Sequence, residues 1–387
     1  MNAVRVVFIS VGAVLWLSAF GYLGVLRIIA RRRTPSPTAE SLPPRVAVVV
    51  PTLNEERFIA AKIRDLARTD YPPDLVSIVV VDGGSSDGTV SLAEKEAERD
   101  GTIRVVRLAR VPSKTDQIRQ ALEVVTEEFV IFTDADSLLA PSCVPRLVSG
   151  LLNAPRTALL GAAVRPATAL LEERLHWWFL NYVWWLEGQA LGAALLSAVC
   201  YGDRRSALLP LLPRLREEKA DDVHLAHLLA GEGLEVRLSR AALATEVRVP
   251  RTRAEFLEFR NRRGTKYVRA LQSVHPGKAA RRGVRMVRAA RLWHFLVSPA
   301  LTAVLAVGAA ALIVAGDWLS PALLAAAFVV PALAAVFSST ALGVRGWGRC
   351  RSALAGVRLV ALTWLSLLRI GRSVRPFHRL AADKETK

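Results

Sequence analysis

"FVIFTDADSL", Phe129 to Leu138, is an apolar run that ends in two acids one residue apart, Asp134 and Asp136. A continuous run of aromatic and β-branched residues, with no polar alternation, predicts a strand buried on both faces. Residues two apart in extended chain point the same way, so two carboxylates converge there and repel unless something positive lies between them. A hard divalent cation meets that need. Mg²⁺ is commonly held by one or two carboxylates, completed by phosphate oxygens and water, so the pair predicts an open site for a nucleotide diphosphate. The competing reading is a solvated loop.

The same grammar recurs upstream. "RVAVVV" (from Arg45), "VSIVVV" (from Val76) and "TIRVVRL" (from Thr102) are short apolar runs separated by helical patterns: "EERFIAAKIRDLA" with Ile59, Ile63 and Leu66 on one face, "TVSLAEKEAERD", and "KTDQIRQALEVV". Alternation of this kind predicts an α/β domain, a mostly parallel sheet flanked by helices, with ligands gathered at the carboxyl ends of the strands. Two more strands end in polar residues there: "VVVPTLNE" supplies Thr52, Asn54 and Glu55, and "IVVVDGGSSDGT" supplies Asp82 and Asp87. An acid after a strand is often only a turn former or helix cap, and Asp87 reads as a cap for the helix after it. Neither a Gly-x-x-x-x-Gly-Lys-Ser/Thr loop nor a Gly-x-Gly-x-x-Gly turn after a strand occurs, which removes P-loop and dinucleotide folds.

The 387 residues are 52% hydrophobic and 22% charged, the balance of a membrane protein with a folded aqueous part. Val6 to Leu26 is an uncharged run of 21 residues, which as a helix spans roughly 30 Å. It is too long for a signal-peptide core, and "RRR" at 31–33 follows it, so it reads as an uncleaved anchor. Phe295–Gly316 and Trp318–Val344, split only by Asp317, read as a helical hairpin that Pro331 kinks. Leu359–Leu368 is too short to span, and the basic "RIGRSVRPFHR" after it suits a helix lying on anionic headgroups.

Arg27 and Arg31–Arg33 after the first span, and Lys278, Arg281, Arg282, Arg285, Arg288 and Arg291 before the second, place the intervening domain in the cytoplasm, as in an integral protein of a bacterial-type inner membrane. The segments are then 1–30 anchor, 31–44 Pro/Ser linker, 45–165 and 166–291 the two halves of the aqueous domain, 292–345 transmembrane hairpin, and 346–387 basic interfacial helix and tail. Much of the net charge of +18 lies in the flanks, so membrane lipids rather than nucleic acid are the expected anionic partner. Cys143, Cys200 and Cys350 have no metal-site spacing and read as reduced structural residues.

In order and spacing, "VPTLNEE", "VVVDGGSSDGT", "SKTDQIRQAL", "FTDADS", "KADDVHLAHLL" and "RNRRGTKY" resemble a membrane-bound family 2 glycosyltransferase over residues 45 to 270. The resemblance implies a GT-A fold, with 45–165 as the nucleotide-sugar half and 166–291 as the acceptor half, and an inverting transfer of sugar from a nucleotide diphosphate donor, often a uridine diphosphate sugar, with Mg²⁺ or Mn²⁺. Carried over singly, it implies Asp82 as the acid that accepts from a uracil N3–H, Asp134 near the ribose and donor, and Asp136 as a ligand of the metal on the diphosphate. Thr52 and Glu55 line the donor edge. Lys114, where the family has Gly-Lys and this chain Ser-Lys, is either a point-charge contact to the donor or a solvated helix-start lysine.

The family's usual Glu-Asp is here Asp221-Asp222, and Asp222 is the candidate base for the acceptor hydroxyl, with helix capping as the alternative use of either acid. The family's Gln-x-x-Arg-Trp signature is broken: Phe259-Arg260-Asn261-Arg262-Arg263 keeps Arg262 but lacks both Gln and Trp. Arg262 or Arg263 is then a candidate diphosphate clamp, while processive synthesis loses its support. His224 and His227, three apart, lack a third metal ligand within reach and read as packing or helix-surface residues. Trp177, Trp178, Trp184 and Trp185 repeat at seven residues along one helical face, either as core or at headgroup level. Asp203 in "CYGDRRSALL" reads as structural.

The function this predicts is a metal-dependent inverting glycosyltransferase that passes one sugar to a lipid or membrane-held glycan. The alternatives are a catalytically inactive scaffold binding nucleotide sugar or lipid, and a processive polysaccharide synthase. A degenerate scaffold would be expected to lose one of Asp82, Asp136 and Asp222, and all three are present. A transporter is disfavoured because the long apolar runs hold no charge.

Overall fold

The computed structural model of the chain describes residues 2–32, 42–108, 113–197, 199–215, 221–273 and 280–338, with a few positions between 352 and 359. The centre of the Pro/Ser linker, Arg33, Lys278, Cys350, the side chain of Asp221 and the basic stretch beyond Leu359 lie outside the described residues.

Helix α1 (Asn2–Arg31) covers the predicted anchor. Strands β1 (Val46–Thr52), β2 (Val76–Asp82), β3 (Ile103–Arg107) and β4 (Phe129–Thr133) are the apolar runs read from the sequence. They pair in parallel in the order β3-β2-β1-β4. Parallel neighbours need a crossover, and α2 (Ile59–Leu66), α3 (Thr89–Ala97) and α4 (Lys114–Val124) supply it. Ile59, Ile63 and Leu66 are all buried, as the helical spacing predicts.

Past β4 the sheet changes character. The chain continues through β5 (Ser137–Leu139), α5 (Cys143–Leu152), β6 (Thr157–Pro166), α6 (Leu171–Leu191), β7 (Cys200–Arg204), α7 (Asp221–Gly231) and β8 (Glu235–Glu246), completing one eight-stranded sheet, β3-β2-β1-β4-β7-β6-β8-β5. β7 runs antiparallel to both β4 and β6, and β5 antiparallel to β8, so the parallel rule holds for the first four strands and for the β6–β8 pair. Long connections, not tight turns, join these antiparallel neighbours, so the local sequence carries no hairpin signal. Gly202 in β7 is needed because a side chain there would collide with Ile131 of β4, and beside it Phe132 and Tyr201 stack at 5.4 Å between centroids.

Helix α8 (Arg253–Ser273) closes the domain. Helices α9 (Arg282–Val314) and α10 (Leu319–Ser338) follow. By length and composition α1 and α9 could each cross a membrane, and α10 is a further apolar helix. Arg5, near the start of α1, pairs at 2.5 Å with Asp317 in the turn between α9 and α10, so those two ends lie level. Gly12 of α1 sits against Leu324 of α10, and Phe8 against Gly308 of α9.

At the other end the helices grip the domain. The Tyr22 hydroxyl donates to Glu187 of α6 at 3.0 Å, and Arg291 of α9 donates to the same carboxylate at 2.7 Å. The tryptophans of α6 divide between two faces rather than sharing one. Trp177 and Trp184 are buried in the main core, whereas Trp185 is half-buried between that core and Leu26 of α1, and Trp178 packs toward Leu175 and Leu359. Seven residues is nearly two helical turns, so each seven-residue pair shares a face, but adjacent residues stand about 100° apart.

Candidate active site

The carboxyl ends of β1, β2 and β4 carry the site. Thr52 and Asp82 are register partners across β1 and β2. The Thr52 side chain turns inward, buried, its hydroxyl donating to the Val81 carbonyl. Asp82 closes its own turn: the amides of Gly84 and Ser85 each donate to its Oδ2 at 2.9 Å, and the Ser85 hydroxyl donates to Oδ1. Gly84 takes φ of 92° in that turn, a conformation costly to any side chain. Gly83 is required by space, since a Cβ there would strike the Gln117 amide, which donates to the Thr52 carbonyl. Asp87 accepts from the Thr89 amide at the start of α3, the capping role expected of it, and its partners there hold the carboxyl below its ordinary range despite the opposing cost of burial.

Asp134 and Asp136 leave β4 in a turn fastened from beneath by a residue the sequence reading passed over. Lys62 of α2 is fully buried and donates to the Thr133 hydroxyl at 2.8 Å and to the Ser137 carbonyl at 2.9 Å, one bond on each side of the acid pair. Burial pushes the lysine's pKa down. It occupies the apolar stripe of Ile59, Ile63 and Leu66, and a charged residue on such a stripe was the available signal.

Each acid has a cation on it. Lys114 Nζ lies 2.5 Å from Asp134 Oδ1. Arg248, just past β8, places Nε 3.3 Å from Asp136 Oδ2 and forks its other two nitrogens onto Glu55. The Phe58 ring supports that guanidinium at 4.9 Å. Burial first, then the neighbouring Asp134, raises the Asp136 carboxyl above its ordinary range, with Arg248 and Lys114 opposing.

Whether this donor set suits a divalent cation can be judged from its chemistry. Two convergent oxygen donors repel, are already drawn to positive neighbours, and leave most of a coordination sphere open. Among the described residues no group of three or more His, Cys, Asp or Glu side chains could enclose a metal. That is the donor set of a site completed by phosphate and water rather than of a closed structural cage, and the residues fit.

Asp222 opens α7. Its Oδ2 accepts from the Ser197 hydroxyl at 2.7 Å and its Oδ1 from the Val223 amide. Two residues on, the Val199 carbonyl accepts from the Asp134 amide at 2.9 Å. Ser197 and Val199 therefore tie the candidate base and the acid pair to one short segment. The Tyr267 hydroxyl, donating to the Leu195 carbonyl at 2.7 Å, fixes the start of that segment. Helix α7 is buried nearly all round, His224 and His227 included. His227 bonds the Val223 carbonyl at 2.7 Å, and burial lowers its pKa to about 4, so it packs as a neutral ring.

The arginines of α8 read as a clamp have partners of their own. Arg263 is committed to Glu246 and lies 3.7 Å from Glu173, under the Trp177 ring. Arg262 lies over Phe259. The guanidinium beside the acid pair is that of Arg248, for which the sequence offered no motif. Asp203 is fully buried with neither oxygen hydrogen-bonded among the described residues, and burial raises its pKa well above the carboxylate range.

Acids gathered on the carboxyl edge of a sheet of this topology are the arrangement of a GT-A glycosyltransferase, and the comparisons agree on that class. Residues 47–203 match the family described as Glycosyl transferase family 2. It is 25% identical over 237 residues to a probable glycosyltransferase, YdaM, of Bacillus subtilis, covering 58% of this chain and 56% of that one. It is 26% identical over 157 residues to the dodecaprenyl-phosphate galacturonate synthase of Rhizobium johnstonii, covering 40% of this chain and 46% of that one. The chain thus spans about half the length of these curated relatives. Among solved structures, the mannosyltransferase PcManGT of Pyrobaculum calidifontis, in complex with GDP-Man and Mn²⁺, superposes with a TM-score of 0.70 at 23% identity, covering 94% of this chain and 99% of that one. That likeness shows the fold.

Proposed function

We propose that this chain is a cation-dependent inverting glycosyltransferase that moves one sugar from a nucleotide diphosphate donor to a lipid or membrane-held glycan at the cytoplasmic membrane face. The observation that supports the reading is the tethering of Asp222 and Asp134 to one short segment, the first through the Ser197 hydroxyl and the second through the Val199 carbonyl. Asp222 takes the proton of the acceptor hydroxyl as that oxygen attacks the anomeric carbon from the face opposite the leaving diphosphate. Asp136 and Asp134 hold Mg²⁺ or Mn²⁺, which when bound neutralises charge on the departing diphosphate. Lys114 adds a point charge on the same side.

The membrane placement is supported by the exposed apolar surface of α1 and α9 and by their arginine-rich ends, Arg27 and Arg31 on one and Arg282, Arg285 and Arg288 on the other. The name of the Rhizobium relative, a dodecaprenyl-phosphate galacturonate synthase, supports a lipid phosphate among the acceptors to try. Asp82 supports a uridine donor, although its carboxylate already serves its own turn, so guanosine donors belong in the same screen.

The test is transfer by the full chain in liposomes, from UDP- and GDP-sugars to polyprenyl phosphate and diacylglycerol acceptors, with and without Mn²⁺. Cation-dependent transfer with inverted anomeric configuration is expected, and Asp136→Ala should lower it on the order of 100-fold or more. Nucleotide binding with no turnover of any donor would replace this reading with the inactive scaffold.

A further inference from the structure

Arg248 has every nitrogen of its guanidinium engaged by acids: Nη1 and Nη2 by Glu55, and Nε by Asp136. The fork onto Glu55 and the Phe58 ring beneath anchor the head group from one side. The contact to Asp136 is different in kind. It is single, at 3.3 Å, and it is made to an acid read above as a cation ligand. A guanidinium and a divalent cation repel each other across one carboxylate, and the repulsion is relieved when an anion arrives that both can share. A pyrophosphate is such an anion, and its oxygens match the planar donors of arginine.

We propose that Arg248 exchanges partners as the donor loads. In the empty enzyme its Nε holds Asp136 in place of the cation; on loading it gives up Asp136 and donates to the pyrophosphate, while Glu55 and Phe58 keep its head group where it is. The proposal rests on the cation assignment of Asp136 made above. It replaces Arg262 and Arg263 with Arg248 as the donor-side guanidinium, in accord with the commitment of Arg263 to Glu246 and Glu173. A lysine would keep the charge but not the geometry, since its one ammonium cannot fork onto Glu55 and reach Asp136 with a separate nitrogen.

The exchange predicts two effects of opposite sign, which a merely structural arginine would not produce. The measurement is Mn²⁺ binding to the detergent-purified full chain, followed by the electron paramagnetic resonance signal of the free ion, and then binding of UDP and GDP at saturating Mn²⁺. Arg248→Gln should bind Mn²⁺ alone several-fold more tightly, because the competitor for Asp136 is gone. It should bind the preferred nucleoside diphosphate about 10-fold more weakly or worse, the scale of one charge-assisted hydrogen bond. Arg248→Lys should keep the nucleotide loss, with Mn²⁺ affinity at or above wild type, and it serves if the glutamine variant does not fold.

Mn²⁺ affinity that is unchanged or reduced in Arg248→Gln, or reduced along with nucleotide affinity in Arg248→Lys, would overturn the exchange. Asp136→Ala separates the two levels of failure. If it leaves Mn²⁺ binding intact, the cation assignment itself is wrong and the exchange falls with it. If it abolishes binding while the Arg248 variants behave as wild type, only the exchange is lost.

Discussion

The acids on the donor edge and the acids around α8 are held by different means. Asp82 is satisfied by amides two and three residues away, Asp87 by Thr89, and Asp134 lies beside Lys114 at the mouth of the neighbouring crossover. Around α8, Glu173 of α6 and Glu246 of β8 are buried and both face Arg263, with Arg260 on His176 nearby. Burial raises both carboxyls there, Glu246 to about 7, against the pull of Arg263. Asp82 and Asp87 are thus presented by local backbone and can be changed with little loss of structure. An α8 charge is part of the packing, and its removal leaves a partner stranded. Variants on the donor edge should fail by losing chemistry, and those around α8 by losing fold.

The sharpest form of that contrast is Asp222→Asn. The amide keeps the shape and can still meet Ser197, but it cannot take a proton. Transfer should fall on the order of 1000-fold, with donor binding and thermal midpoint unchanged. A large drop in midpoint would make Asp222 a structural cap and dissolve the distinction. On the other side, Arg263→Ala should cost about 2–3 kcal/mol of stability, because Glu246 and Glu173 lose their shared cation. A thermal shift of the detergent-solubilised chain checks it. Full stability with lost nucleotide binding would return Arg263 to the clamp role first read for it.

The same division governs what could be read from the sequence. β1, β2 and β4 were legible because an apolar run followed by an acid is a local pattern, and local backbone finishes the job. Arg248 was not. In "EVRVP" nothing marks it, and its meaning comes from Glu55 and Phe58, almost two hundred residues earlier. The antiparallel entry of β7 was illegible for a related reason, since its partners are set by the sheet and not by a turn. The α6 tryptophans show a subtler limit: the seven-residue period was real, but it applied to two faces at once, and only the partners of each face distinguish core from anchor contact.

Asp203 tests whether burial without a partner is costly, as the contrast requires. Its pKa is raised in the folded state, so the sign runs against stability as pH rises. Below the unfolded value near 4, both states are protonated and nothing is lost. Above it the unfolded chain ionises while the buried group does not, and stability falls by about 1.4 kcal/mol per pH unit until the folded group titrates. Asp203→Asn removes that dependence, though it buries an amide in the same place. A net gain of about 1–2 kcal/mol at pH 7, shrinking toward pH 4.5, is expected from thermal midpoints at the two pH values. A destabilised variant, or a gain that does not shrink with falling pH, would mean that the buried acid is not the cost the contrast requires.

The smallest effect concerns Ser197, which acts through Asp222 rather than on substrate. Its hydroxyl fixes one carboxylate oxygen at 2.7 Å, and Val199 two residues on fixes the Asp134 amide. Removing the hydroxyl takes one fixed donor from the carboxylate and loosens its orientation toward the acceptor. Ser197→Ala should therefore lower kcat about 10-fold, the worth of one hydrogen bond to a charged group, while the KM for donor stays put. Ser197→Thr, which restores a hydroxyl at the same carbon, should recover most of the rate. A packing defect would spare neither parameter and would not be cured by a larger side chain, so equal losses in both variants would make Ser197 a filler and leave Asp222 positioned by α7 alone.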